Sequence, residues 1–462
     1  MTRKTFFLLL FLITILFFSS TFFYYFTQDD FFHLQISQAK NFHDFISFFS
    51  FNNDYGYMFY RPLTTQVFLF FGRALFGLNP FGFHLISFLF FVTNIYLVFK
   101  ITKVLLGEKP AFISSALYAL SASHFSTLAY ISTFEEVGVA FFYFLTVFLY
   151  LKKSPFSYLS FILALASRET AITLPIIIFL LEFWREKKFL RTFPYFLTLF
   201  FYFFLRVKYF NIPAELVYQP VFSITKIFNT VLWYVFWSFG LPESLVDFVG
   251  PGLKVNPRFW QISGWRGKAI VSGSLFMFFF CGLMLLKSFF KKEKLKKVFL
   301  FLSWFLITLL PFLFLPQHKF VYYLEVPLLG FCGLIALLLA ERRTKTIVFF
   351  LGIFILVSFL TIGFYKETYW VVGRAKLAKN SISHLKTTYP QLPKGATIYF
   401  KNGSDFPEAP SAWGGASQQA KVALSDCNGP RLIYHDDSLK CLYEDDGQDF
   451  REDYFLFVVN KE

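Results

Sequence analysis

Residues 6–26 read FFLLLFLITILFFSSTFFYYF, with Thr2-Arg3-Lys4 before them and Thr27-Gln28-Asp29-Asp30 after. The run meets the roughly 20 apolar residues that a helix needs to cross the hydrocarbon core. It is too long for the apolar core of a cleaved signal peptide and no Ala-x-Ala site follows, so it reads as a retained anchor. Basic residues in front place its N-terminus in the cytoplasm and Asp29-Asp30 just outside the membrane.

Composition extends that reading to the whole chain. Of 462 residues 56% are hydrophobic and only 16% charged, against about a quarter in soluble globular proteins. Lipid must solvate most of the apolar surface. The 74 Phe read as generic lipid-facing bulk and not as a cofactor platform. The net charge of +15 falls in short clusters between apolar runs, as cytoplasmic loops require, which excludes nucleic acid as the partner. Four cysteines form no CxxC pair.

Alternating the apolar runs against the basic clusters predicts eleven spans: 6–26, 80–101, 111–131, 134–151, 156–167, 170–184, 193–205, 269–288, 298–316, 320–340 and 346–364. Lys100 and Lys103, Lys152-Lys153, Arg185 to Arg191, Lys291 to Lys297 and Arg342-Arg343 then all face the cytoplasm. Residues 221–240 are apolar enough for a twelfth span, but counting them would put Lys291 to Lys297 outside. They therefore read as an interfacial or re-entrant helix. The expected fold is an all-α polytopic membrane domain over 1–364, with external loops 27–79 and 206–265, followed by a small extracytoplasmic α/β domain over 365–462. Within that tail, 396–400 and 454–459 read as strands. Cys427 and Cys441 can pair there, outside a reducing cytosol.

Ionisable side chains at a bilayer are costly, so their placement carries information. The topology gathers Asp29, Asp30, Arg61, His124, Glu135, Glu136, Arg168, Glu169, Arg206, Lys208, His318, Lys319 and Tyr322 at the outer face. Carboxylates flanked by Arg and Lys suit a phosphate-bearing substrate: guanidinium and ammonium groups bind phosphate oxygens, and a carboxylate takes a proton from an acceptor.

These residues resemble those of the GT-C class of integral-membrane glycosyltransferases, which use polyprenyl-phosphate-linked sugars and include protein O-mannosyltransferases and aminoarabinose transferases. Asp29-Asp30 matches the class's acidic pair after the first helix, and Tyr60-Arg61-Pro62-Leu63 its later Arg-Pro-Leu element. Ser167-Arg168-Glu169-Thr170-Ala171-Ile172-Thr173-Leu174-Pro175 matches a Lys-Glu motif, with Arg in place of the usual Lys. An Arg-Tyr-x-Tyr-x-Pro element is met only partly, by His318-Lys319-Phe320-Val321-Tyr322-Tyr323-Leu324-Glu325-Val326-Pro327. The resemblance covers about residues 5–345 and does not extend to TPR repeats or the tail.

It implies sugar transfer at the outer face from a polyprenyl-phosphate donor to a protein, lipid or glycan acceptor. Asp29 is then the general base, with Asp30 its neighbour or a second acceptor contact; Arg168, Arg206 and either Lys208 or Lys319 hold the lipid phosphate, and Arg61 and Glu169 fix the loop or substrate. Adjacent carboxylates can also bind a divalent cation, as in some members of the class. A flippase of lipid-linked saccharide needs charges near the midplane and often an inverted repeat, neither of which the sequence carries. A polymerase or ligase of another membrane fold needs no acidic pair directly after the first helix.

Overall fold

The computed structural model describes residues 2–51, 59–185, 187–210, 216–250, 252, 254–288, 292–403 and 414–460. Helix α1 (Arg3–Phe18) starts where the Thr2 hydroxyl accepts the Thr5 amide, and a 3-10 turn extends it to Phe23. The segment after α1 folds into α2 (Asp29–Ile36), α3 (Phe42–Ser47) and α4 (Phe68–Phe76). Helix α5 (Pro80–Leu106) begins with the Asn79 side chain capping Phe81 and Pro80 in the first turn, where its missing N–H costs nothing. It ends at Gly107, whose φ of +96° suits glycine.

The chain continues through α6 (Glu108–Ala119), α7 (His124–Ala129), α8 (Phe134–Leu151), α9 (Phe156–Leu165), α10 (Leu174–Trp184) and α11 (Phe193–Tyr209). After α12 (Ile224–Ser238) come α13 (Pro257–Ser288), α14 (Lys292–Leu313), α15 (Pro327–Leu339) and α16 (Thr344–Thr368).

Among the described residues seven helical stretches are long and apolar enough to cross a membrane: Arg3–Phe23, Pro80–Leu106, Ile131–Leu151, Phe189–Tyr209, Pro257–Ser288, Lys294–Leu313 and Thr344–Thr388. The chain is a multi-pass integral membrane protein. The expected spans 111–131, 156–167, 170–184 and 320–340 are instead represented by short helices, α6, α9, α10 and α15. At 1.5 Å per residue the 12 residues of α6 reach about 18 Å, well short of a 30 Å core. Each is interrupted beside polar sequence: α6 stops before Ser121 and His124, and Arg168 stands extended (φ −165°, ψ 150°) between α9 and α10. Short helices still pack closely, and Gly330 lets α15 approach α14, since a Cβ there would meet the Phe305 amide nitrogen at 2.7 Å. The apolar stretch 221–240 yields α12, of 15 residues, likewise too short to span.

Basic loops from separate parts of the sequence meet at one end of the bundle. Arg3 and Lys103 both pair with Glu108, Lys109 Nζ donates to the Ala340 carbonyl, and Lys294 pairs with Glu341. Lys291, at the head of the most basic run, lies outside the described residues.

The C-terminal region forms α17 (Trp370–Thr388), β1 (Thr397–Asn402), α18 (Ala416–Ala423), α19 (Asn428–Tyr434), β2 (Lys440–Tyr443) and β3 (Phe455–Val459). Its strands make a parallel sheet in the order β2-β1-β3, so β1 and β3 lie where the two strand-like runs were expected. Cys427 and Cys441 are disulfide-bonded, with Cα atoms 5.3 Å apart. The expected boundary at 364/365 falls inside α16, and α17 follows after the single extended residue Tyr369.

Candidate functional site

A cavity of about 1720 Å³ opens where the short helices stop. The α2 start, the α9–α10 break, the end of α11, the loop after α12, the segment 311–323 and the start of α17 all contribute to its wall. Of the residues singled out from sequence, Asp29, Arg61, Glu135, Arg168, Glu169, Arg206, His318, Lys319 and Tyr322 line it.

Asp29 and Asp30 are neighbours with opposite surroundings. Asp30 is buried and both its oxygens are occupied: one accepts from the Ser132 amide (2.7 Å) and hydroxyl (2.6 Å), the other from the Thr27 amide (2.9 Å). Burial pushes its carboxyl up to about 7, against those donors, which favour the charged form. Asp29 is exposed to the cavity, and its carboxylate has no ion pair among the described residues. Its amide donates to the Tyr130 hydroxyl at 3.0 Å. The two carboxylates therefore do not form a chelate, and no group of three His, Cys, Asp or Glu suited to a metal occurs among the described residues. The donor set does not fit the divalent cation that the adjacent pair left open.

A second part of the wall is a lattice of ion pairs. Arg61 pairs with Glu135 and, at 2.8 Å, with Glu169, while Arg168 reaches Glu135 at 2.7 Å and Glu136 at 3.2 Å. Glu135 also accepts from the Thr65 hydroxyl at 2.8 Å. The Arg168 guanidinium lies 5.4 Å from the Tyr323 ring centre. Three carboxylates and two guanidiniums compensate one another here, so Arg61 and Arg168 come to the cavity with their charge already matched.

The remaining cations are less committed. Arg206 is 3.7 Å from Glu169, and its buried Nη1 has no hydrogen-bond partner among the described residues. Lys319 has no ion pair among the described residues. Burial lowers its pKa and the Asp247 charge opposes that shift. His318 is pushed down to about 4 by burial and by the Arg168 and Arg61 charges, so at neutral pH it offers hydrogen bonds but no positive charge.

Besides Asp30, three expected residues lie off this wall. His124 is buried between Glu325 (2.7 Å) and the Tyr118 carbonyl (2.6 Å), because the turn after α6 folds it into the protein interior. Glu136, one residue on from Glu135 along α8, is buried behind Arg168. Lys208 is exposed and sits 5.0 Å from the Tyr209 ring, two positions round the helix from Arg206.

Other lining residues were not foreseen: His33, Tyr130 and Ser132 near Asp29, Glu243, Asp247 and Arg258 after α12, and Trp370 and Arg374 on α17. Glu243 accepts the Val321 amide at 2.6 Å, and burial pushes its carboxyl up to about 8. The acidic pair Glu243 and Asp247 inside a loop of apolar sequence was the signal available for that part. Nothing local distinguishes Arg374 from the other basic residues of the tail.

No curated protein and no solved structure matches the chain. Residues 60–209, the stretch that carries Arg61, Glu135, Arg168, Glu169 and Arg206, match the family model of dolichyl-phosphate-mannose-protein mannosyltransferases. On a chain with seven helices able to cross a membrane, that match supports a membrane glycosyltransferase of the GT-C class.

Proposed function

We propose that the protein transfers a sugar from a polyprenyl-phosphate donor to an acceptor hydroxyl at the outer face of the membrane, with mannose the sugar suggested by the matching family. One observation carries the reading: a carboxylate with no ion pair among the described residues, Asp29, shares a cavity with the under-compensated cations Arg206 and Lys319. In the reaction the acceptor oxygen forms a bond to the anomeric carbon, the bond from that carbon to the phosphate oxygen breaks, and the acceptor proton passes to Asp29. Negative charge grows on the leaving phosphate, where Arg206 and Lys319 stabilise it.

Arg168 and Arg61 contribute by a different route. Their carboxylate partners hold them in fixed orientation, so they shape the wall and add hydrogen-bond donors with little net charge. Asp30 spends its acceptors on Thr27 and Ser132 and thereby fixes the chain on both sides of Asp29.

Purified protein in detergent, given dolichyl-phosphate-[³H]mannose and a membrane extract as acceptor pool, tests the reading. Wild-type protein should move label into the protein or glycan fraction, and Asp29→Asn should lower turnover by about 10² to 10⁴-fold while remaining folded. A folded Asp29→Asn protein with undiminished transfer removes Asp29 as the base. A wild-type protein that transfers no sugar from polyprenyl-phosphate donors overturns the transferase reading itself.

A further inference from the structure

The residue before Asp29 has an unusual backbone. Gln28 adopts φ +52° and ψ −121°, a strained region that a residue with a Cβ keeps only when its surroundings hold it there. The forcing contacts come from the far end of the chain. The Gln28 amide donates to the Ala423 carbonyl at 2.8 Å, and the Thr27 hydroxyl donates to the same oxygen at 3.2 Å. Arg374 Nη1 donates to the Gln28 carboxamide oxygen at 2.5 Å, with the guanidinium 4.9 Å from the Trp370 ring centre. About two helical turns further, Gln35 donates to Asp437 at 2.7 Å.

The Ala423 carbonyl is itself held in place. It closes α18, and the chain then turns through Ser425 and Asp426, both at positive φ, into Cys427, which is disulfide-bonded to β2. The sheet domain thus presents one carbonyl, and α17 one guanidinium, to the residue that aims Asp29 into the cavity.

We infer that the C-terminal domain is part of the catalytic apparatus, with Gln28 and Arg374 as positioning residues that hold the Asp29 carboxylate in its reactive orientation. The inference rests on Asp29 being the base. A base displaced by about 1 Å can lose about 10²-fold in rate. Releasing the clamp should accordingly act on turnover and leave donor binding alone, because the cations assigned to the phosphate sit on other elements of the wall, α11 and the segment 311–323.

The test compares Arg374→Ala, Gln28→Ala and Gln28→Gly with wild type in full-length protein, using dolichyl-phosphate-[³H]mannose as donor. Glycine accepts a φ of +52° without strain, so Gln28→Gly keeps the fold accessible while removing the carboxamide that Arg374 grips. Each variant should lower turnover at saturating donor by about 10- to 100-fold with donor KM within about twofold of wild type. Arg374→Lys, which keeps a donor near Gln28, should recover part of the loss. Added to Asp29→Asn, Arg374→Ala should cause little further loss, since residues that act through one another are not additive.

A rise in KM at unchanged kcat would make Arg374 a substrate contact and overturn the inference, as would a full further loss in the Asp29→Asn background. If Asp29→Asn is inactive while all the clamp variants turn over normally, the clamp is wrong and the base stands. If Asp29→Asn itself is fully active, the reading beneath both has failed.

Discussion

Two parts of the cavity wall carry similar residue types and differ in how they are spent. Around Glu135, every one of these charged groups is in an ion pair, from Arg61 and Arg168 to Glu136 and Glu169. At the α2 edge Asp29 has no ion pair among the described residues, and across the cavity Arg206 keeps a nitrogen without a hydrogen-bond partner among them. The first region is built like a protein interior, where a charge is tolerated because it is compensated. The second keeps its groups open to a substrate. Charge at a membrane boundary therefore does not by itself mark chemistry; its compensation separates scaffold from reactive group.

That comparison can be broken most decisively at Glu135. Replacing it by Gln removes the carboxylate shared by Arg61 and Arg168 and leaves two buried guanidiniums short of charge, which should destabilise the protein by roughly 3–5 kcal/mol. Thermal unfolding in detergent should show a large fall in melting temperature or no folded protein. A stable, fully active Glu135→Gln enzyme would mean that the lattice is not structural.

Arg206→Ala sharpens the other side. Losing a charge-assisted contact of about 1.5–3 kcal/mol present in ground and transition states should raise donor KM and lower kcat/KM by about 10- to 100-fold, with melting nearly unchanged. Unaltered kinetics would take Arg206 off the phosphate.

The smallest effect is expected at Lys208, two residues along the same helix but exposed and away from the cavity. Lys208→Ala should change stability by less than about 0.5 kcal/mol and leave transfer unaltered. A loss matching that of Arg206→Ala would show that the whole end of α11, and not one face of it, meets the donor.

Much of this was legible in the sequence because its physical basis is local. Twenty apolar residues after Arg3-Lys4 need no tertiary context to be read as a membrane helix, and alternating apolar runs located a helix at each of the eleven expected sites. The strands at 397–402 and 455–459 showed as short β-branched and aromatic runs. Helix length was harder. Residues 111–131 look continuous by hydropathy, yet the chain turns at 120–123 so that His124 can reach Glu325, a partner 201 residues away.

The sequence by itself determined the solvent, the helical class and the set of ionisable residues from which a site is drawn, because hydropathy and charge are properties of each stretch alone. Only the tertiary structure decided which of those residues are matched and which are free. Asp29 and Asp30 are the same amino acid in adjacent positions; Asp30 turns inward to Ser132 and Thr27, and Asp29 faces the cavity on a backbone held by Ala423 and Arg374. That difference arises from contacts more than 100 and nearly 400 residues away along the chain, and no pattern within a local window contains it.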